Sequence, residues 1–324
     1  MLTSKSGYSL RPGSGQAGQV SSSVVIPSTP DVDRAAARIA PHVRRTPLLR
    51  AEIDGRPVVV KLEHLQRTGS FKLRGATNAL LSGEPPLDVV TASGGNHGLA
   101  VATAAHVLGI PATVFVPSSA PEGKVRRIAA IGAKVVRGGE TYAEAASAAR
   151  AAAADLGARY VHAYDDPAVV AGQGTAALEI LADAPDVDAV AVAVGGGGLA
   201  AGTALALDGT RPLFAVEPEN CCALHAALAA GGPVDAPVDS VAASALGATR
   251  VGRVPFAVLG KADVRSVLVP DREILTARDR LWEELRVAVE PAAAAPFAAW
   301  LNGQLDAESP CLVLCGANTD WEPA

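Results

Sequence analysis

No apolar run in these 324 residues reaches the roughly 18 consecutive positions that a membrane-crossing helix needs; the longest are interrupted by Gly or Asp. No membrane partner is expected, and no signal-peptide apolar segment is present at the N-terminus. Cysteine is scarce: Cys221, Cys222, Cys311 and Cys315, with the first two adjacent and no Cys-x-x-Cys. That pattern fits neither a disulfide framework nor a zinc site and favours a reducing cytoplasm. Aromatic residues make up only 4%, so a core must be built from Ala, Val and Leu, and the 49% hydrophobic content is enough to build one. Charged residues are 19%, dispersed, with a net charge of −5. Neither a nucleic-acid face nor a polybasic membrane segment follows from such a balance. There is no Gly-x-Ser-x-Gly, which excludes a hydrolase nucleophile elbow, and no Gly-Lys-Ser/Thr, which excludes a P-loop.

What the chain does have is βα punctuation. Residues 1–30, rich in Ser and Gly, read as a flexible tail. A helix is expected over 31–39 with Asp31 as its cap, then an extended approach over 42–49 and a strand over 58–63. Helices are expected over 70–81, 99–108, 122–131, 142–156, 173–182, 199–207, 271–287 and 291–301. Strands are expected over 89–92, 112–116, 134–136, 160–162, 189–194, 213–216, 264–269 and 312–314, with 231–260 irregular. Gly closes several of these helices, as at Gly109, Gly132 and Gly157. The fold class is therefore α/β, built on parallel sheets. Functional loops in such sheets gather at the carboxyl ends of strands.

Several stretches can carry chemistry there. Thr68-Gly69-Ser70-Phe71-Lys72-Leu73-Arg74-Gly75 places Lys72 just inside a helix start, where the helix dipole disfavours an ammonium. Such an amine is a candidate Schiff-base nucleophile, although a lone lysine is ordinarily a solvated surface residue. Gly195-Gly196-Gly197-Gly198 joins a strand to a helix and can form a backbone nest for a phosphate. Ser93-Gly94-Gly95-Asn96-His97-Gly98 can bind a carboxylate, or it is a turn in which Ser93 or Asn96 caps the next helix. Gly195-x-Gly197-x-x-Ala200 with Glu217 at the next strand end also matches a dinucleotide fingerprint, so an NAD-binding oxidoreductase stays open. That alternative leaves Lys72 and the 93–98 loop unexplained. A ligand with an aldehyde for Lys72 and a phosphate for the glycines, acting on an amino acid whose carboxylate meets the 93–98 loop, satisfies all three: pyridoxal phosphate.

With Ala171-Gly172-Gln173-Gly174-Thr175, Val216-Glu217-Pro218-Glu219 and Cys315-Gly316-Ala317-Asn318 added, the ordered set from about Pro47 to Asp320 resembles the serine/threonine dehydratases and serine racemase. These are fold-type-II, tryptophan-synthase-β-like pyridoxal-phosphate enzymes. The resemblance implies two three-layer αβα domains: 31–86 and 163–324 as a large domain, 87–162 as a small one inserted in it. It implies that Lys72 carries the cofactor and moves the proton at the substrate α-carbon. Phe71 packs beside the ring, Asn96 bonds its hydroxyl, Gly195, Gly196, Gly197, Gly198 and Leu199 hold the phosphate, and Cys315 faces the ring nitrogen. Cys315 is no carboxylate, so an unprotonated ring nitrogen and prompt elimination are expected. By the same resemblance, Ser93, Gly94, Asn96 and His97 would hold the substrate carboxylate. Glu217 matches one ligand of the family's divalent-cation site, but Ala223 replaces the second, so a requirement for a monovalent or divalent cation is in doubt. Gly94 stands where serine racemase has the second base, which favours elimination over inversion. Ser244 falls where a glycine often lines the substrate pocket.

The expected activity is dehydration and deamination of a β-hydroxy amino acid, L-threonine or L-serine, to a 2-oxo acid and ammonia. A bulkier or more acidic β-hydroxy substrate is a further option. Racemase or β-replacement chemistry, and an inactive amino-acid-binding module, are the alternatives. The resemblance also implies a homodimer, without a C-terminal regulatory domain.

Overall fold

The computed structural model describes residues 24–322. Most of the expected 1–30 tail lies outside those residues. Helix α1 (Thr29–Ile39) starts two residues earlier than expected. Ser28 occupies the cap position, and the Asp31 carboxylate accepts from the Ser28 N–H at 2.8 Å and its hydroxyl at 2.6 Å. Asp31 is thus the first-turn partner of a capping box and not the cap itself.

Strands β1 (Leu48–Ile53) and β2 (Arg56–Lys61) form an antiparallel hairpin; β2 is the strand expected over 58–63, set two residues earlier, and β1 begins at the end of the expected extended approach. Asp54 and Gly55 have φ of 53° and 71°, as a two-residue type I′ turn requires. A short 3₁₀ turn (Glu63–Leu65) leads on to α2 (Lys72–Leu81). Then β3 (Val89–Ala92), α3 (Asn96–Leu108), β4 (Ala112–Val116), α4 (Glu122–Ala130), β5 (Lys134–Arg137), α5 (Tyr142–Leu156) and β6 (Arg159–Tyr160) alternate. Helix α6 (Pro167–Asp183) begins well before the expected residue 173, because Asp166 caps it by accepting from the Ala168 and Val169 N–H groups. β7 (Ala189–Ala193), α7 (Gly198–Leu207) and β8 (Leu213–Pro218) follow. The next stretch holds more helix than expected: α8 (Ala223–Ala230), α9 (Ala243–Leu246) and α10 (Arg253–Leu259). The chain then runs through β9 (Val264–Val269), α11 (Asp271–Leu285), α12 (Pro291–Leu301) and β10 (Pro310–Val313).

Two sheets result. The larger has the order β1-β2-β10-β7-β8-β9 and is parallel except for the β1 edge. The smaller, β5-β4-β3-β6, is wholly parallel. Every residue of β7, β8 and β10 is buried, as central strands covered by helices on both faces must be. In the larger sheet the strand order reverses between β7 and β10; in the smaller it reverses between β3 and β6. Loops 195–198, 315–318 and 93–98 leave the carboxyl ends of β7, β10 and β3, which is where such sheets bind ligands.

Small residues let the helices behind these loops approach closely. A Cβ on Gly75 would lie 2.8 Å from the Val169 carbonyl, and one on Gly174 would lie 2.5 Å from that of Gly202. Gln173, in the motif around it, accepts from the Gly75 N–H at 3.1 Å and so caps the first turn of α2 from a neighbouring helix.

A buried ionic cluster fixes the same helix. Arg74 donates to Glu63 at 2.7 and 2.8 Å and to Glu179 at 2.8 Å, and Lys61 donates to Glu179 at 2.6 Å. Lys61, Glu63 and Arg74 are fully buried. Burial alone would push the Glu63 carboxyl up, but the charge and hydrogen bonds of Arg74 outweigh it and hold the group below the carboxylate range. The cluster joins β2, α2 and α6 two residues beyond Lys72.

Candidate active site

Lys72 is the first residue of α2, and the segment before it is stitched to the end of β10. The His64 N–H donates to the Leu314 carbonyl, the Phe71 N–H to that of Cys315, and the Ala317 N–H to that of Gly69. Ser70 and Gly316 form an isolated bridge. This pairing sets Lys72 beside Cys315. Its Nζ donates to the Ala163 carbonyl at 3.0 Å and lies 5.0 Å from the centre of the Phe71 ring. Desolvation lowers the amine to about 8, against the opposing pull of Cys315 and Glu290.

One cavity of about 650 Å³ is lined by Lys72 together with Phe71, Ser93, Gly94, Asn96, His97, the four glycines, Leu199 and Cys315. Every candidate named from the sequence is thereby gathered, except Glu217. The tetraglycine is tightly enclosed. Gly197 has a φ of 90°, and a Cβ on Gly196 would lie 2.3 Å from the Tyr164 ring, on Gly195 2.9 Å from Leu246 Cα. Only glycine fits here, and the start of α7 lines the cavity, where its backbone N–H groups can meet an anion. The Cys315 thiol is buried and pushed up, first by desolvation and then by Glu290, so it stays neutral.

The 93–98 loop differs in detail from expectation. Helix α3 begins at Asn96, with Gly95 at the cap position and no side-chain cap, so neither Ser93 nor Asn96 caps it in the expected way. Ser93 Oγ instead accepts from the Gly95 N–H at 3.2 Å. Asn96 turns its amide to Glu290, with Nδ2 donating to Oε1 at 2.8 Å, and its Oδ1 accepts from Asn318 Nδ2 at 2.8 Å. His97 is buried, with Nε2 3.1 Å from the Val161 carbonyl. A carbonyl only accepts, so Nε2 carries the proton and Nδ1 is bare. Burial, and then the charge of Lys72, lower this imidazole to about 3. A neutral ring whose one donor is spent on Val161 has none left for a substrate carboxylate. That leaves the Ser93 hydroxyl and loop N–H groups for the task. Space at Gly94 is limited: an added Cβ would lie 3.3 Å from Ala120 Cβ, closer than ordinary van der Waals contact.

Glu217 faces elsewhere. It is fully buried, and its two oxygens accept from the Leu224 and His225 N–H groups at 2.8 Å each, closing the start of α8. Burial raises the carboxyl to about 7. Ala223 is the first residue of α8. Among the described residues no group of three or more His, Cys, Asp or Glu is placed to hold a metal ion. With its oxygens turned away from the cavity, Glu217 is also badly placed to bind the ribose of a dinucleotide seated at 195–198.

Glu290 was not singled out from the sequence. It occupies the cap position of α12, its N–H donates to the Gly316 carbonyl, and Oε1 fills the space that a Cβ on Gly316 would need. Burial raises the carboxyl to about 7, against the hydrogen bond from Asn96 and the charges of Lys124 and Lys72. A carboxyl therefore does stand next to Cys315. The signal was a single acid in the apolar run from Val287 to Ala295, directly before Pro291.

A lowered amine, a glycine nest that excludes side chains and a shared cavity of this size fit an aldehyde-bearing phosphate ligand. The comparisons agree. Residues 39–316 match the family described as pyridoxal-phosphate dependent enzyme, and the chain belongs to it. Among its relatives, an L-threonine ammonia-lyase of Geobacter sulfurreducens is 40% identical over 303 residues, covering 89% of this chain and 75% of the relative. A serine racemase of Arabidopsis thaliana is 35% identical over 306 residues, covering 89% of this chain and 92% of the relative. The crystal structure of a T.th. threonine deaminase superposes with a TM-score of 0.86 at 39% identity, covering 92% of this chain and all of that one. The fold is that of the fold-type-II pyridoxal-phosphate enzymes, and pyridoxal phosphate is the cofactor. Among the described residues no helix is long and apolar enough to cross a membrane.

Proposed function

We propose that the protein eliminates water from a β-hydroxy amino acid, L-threonine or L-serine, and releases a 2-oxo acid and ammonia. When bound, pyridoxal phosphate supplies an aldehyde that captures amines and a conjugated ring that takes up electrons from the α-carbon. The glycines at 195–198 and Leu199, at the start of α7, hold the phosphate. The Ser93 hydroxyl and the N–H groups of the 93–98 loop orient the substrate carboxylate. Lys72 Nζ would anchor the cofactor and, as a free amine, would take the α-proton; lowered to about 8, it is free base in a minority of molecules near neutral pH and in most of them above pH 8. The β-hydroxyl leaves as water with one proton, which balances the α-proton taken by Lys72. The resulting enamine moves a proton to carbon, and water adds to the imine to give the 2-oxo acid and ammonia.

The observation that carries elimination over inversion is Gly94. Inversion needs a second acid–base group on the face opposite Lys72, and position 94 offers only hydrogen. Residues 87–162 are read as a small domain closing on 31–86 and 163–324, and the enzyme as a cytoplasmic homodimer without nucleic-acid partners. The domain division and the homodimer rest on the family resemblance, the cytoplasm on the scarce, unpaired cysteines, and the absence of nucleic-acid partners on the dispersed charge. The test is to incubate the holoenzyme with L-threonine and L-serine and assay 2-oxo acid, ammonia and D-serine together. Stoichiometric 2-oxo acid and ammonia support the proposal; D-serine outpacing 2-oxo acid overturns it.

A further inference from the structure

Four polar groups from four segments meet beside Lys72 in one chain of hydrogen bonds. Asn318 Nδ2 donates to the Thr68 carbonyl at 2.8 Å and to Asn96 Oδ1 at 2.8 Å, and Asn96 Nδ2 donates to Glu290 Oε1 at 2.8 Å. The direction of the chain is fixed at its backbone end. The Thr68 carbonyl has no proton to give, so the Asn318 atom facing it is nitrogen. That nitrogen also faces Asn96, so the Asn96 atom it meets is oxygen. Asn96 is then left with its NH2 group turned toward Glu290 and the cavity. One of those two hydrogens is taken by Glu290. The other has no protein acceptor among the described residues, and Asn96 lines the cavity with Lys72.

The surroundings hold Asn318 in place. Its Oδ1 sits where a Cβ on Gly69 would come within 2.7 Å, so the glycine, with φ of 71°, makes room for the amide. The Ala317 N–H donates to the Gly69 carbonyl at 2.9 Å, and the Glu290 N–H to the Gly316 carbonyl at 3.1 Å. Thus the turn leading into Lys72, the loop after β10 and the start of α12 converge on one amide at the start of α3.

We infer that Asn318 and Glu290 are positioning residues that lock the Asn96 amide in one orientation, so that its remaining N–H is presented to an acceptor oxygen of the cofactor. The inference rests on the site reading above and goes beyond it by assigning tasks to Asn318 and Glu290. A locked amide contributes its hydrogen bond without first paying to be ordered, and the pieces should act as a unit.

The experiment titrates pyridoxal phosphate into the apo-protein and reads the dissociation constant and the visible band, with no substrate present. Asn318→Ala and Asn96→Ala should each weaken binding about tenfold, the equivalent of one hydrogen bond of about 1.4 kcal/mol. The double variant should be no weaker than either single one. Asn318→Asp keeps the shape but has no N–H and should behave like Asn318→Ala. Glu290→Gln, which keeps an acceptor for Asn96, should bind more tightly than Glu290→Leu. Losses that add in the double variant, or an Asn318→Asp protein that binds like wild type, overturn the inference while leaving the site reading intact. A wild-type protein that takes up no cofactor overturns both.

Discussion

Lys72 Nζ reaches from the start of α2 to the Ala163 carbonyl, 3.0 Å away, in the segment between β6 and α6. The amine that the helix start presents is thus already turned into the cavity and desolvated there, close to Cys315 and Glu290.

This sets the pH dependence of cofactor capture by the apo-protein. Desolvation lowers the amine from its ordinary 10.5 to about 8, with Cys315 and Glu290 opposing the shift. The free-base fraction, and with it the rate of Schiff-base formation, should rise through about pH 8 and level off above it. Stopped-flow absorbance of the mixing reaction reads this directly. A rate that keeps climbing toward 10.5 would show an unperturbed amine. Because the unfolded chain holds this proton more tightly, Lys72 itself also makes apo-protein stability rise with pH between about 8 and 10.5.

The Tyr164 ring covers Gly196 so closely that an added Cβ would lie 2.3 Å from it. Gly196→Ala should therefore lower cofactor affinity by about 1–3 kcal/mol, the usual cost of overpacking. Replacing Tyr164 by Ala in the same protein should recover part of the loss, because it removes the colliding ring. Equilibrium titration of both variants checks this; undiminished binding to Gly196→Ala would mean that the phosphate does not sit at the nest.

At Gly94 the backbone φ is not in the left-handed region, and an added Cβ would lie 3.3 Å from Ala120 Cβ, so serine fits once Ala120 shifts slightly. Gly94→Ser adds a hydroxyl to the lining of the cavity that Lys72 also lines. The ratio of D-serine to 2-oxo acid formed from L-serine should increase by about tenfold or more, on the scale expected of a positioned acid–base group. An unchanged ratio in a folded, cofactor-loaded variant would remove Gly94 as the reason for preferring elimination.

Arg74→Leu leaves Glu63 and Glu179 facing each other with only Lys61 to balance them. Loss of about 3–5 kcal/mol is expected in urea unfolding, as for other broken buried pairs. Glu63 is held below its ordinary 4.5, so its contribution is complete above that value and is lost as pH falls through the lower folded-state value. The wild-type midpoint should fall on acidification in that range, and the variant should show a smaller fall.

The parallel sheets were legible because βα alternation depends on local patterning: strands 89–92, 112–116 and 264–269 and helices 142–156 and 291–301 fall where the apolar period and the Gly stops put them. Strand β1 and its hairpin pairing with β2 were missed, although Asp54-Gly55 is a strong turn signal and Arg50 and Glu52 alternate with Leu49, Ala51 and Ile53 as the residues of an edge strand do. The start of α6 was hidden by β-branched Val169 and Val170 and by Gly172 and Gly174, poor helix formers whose value is close packing. At the site, Lys72 and the glycines carry their chemistry in local spacing. Glu290 and Asn318 do not: each acts through Asn96, 194 and 222 residues away in the chain. Only the fold brings them together.

The central claim is that Lys72 carries the cofactor. The most direct measurement is borohydride reduction of the purified protein loaded with pyridoxal phosphate, followed by peptide mass mapping. The yellow band should disappear and a single pyridoxyl-phosphate label should appear on the peptide containing Lys72, with no label in Lys72→Ala. A protein that forms no such band, or that carries the label at another lysine, would contradict the account.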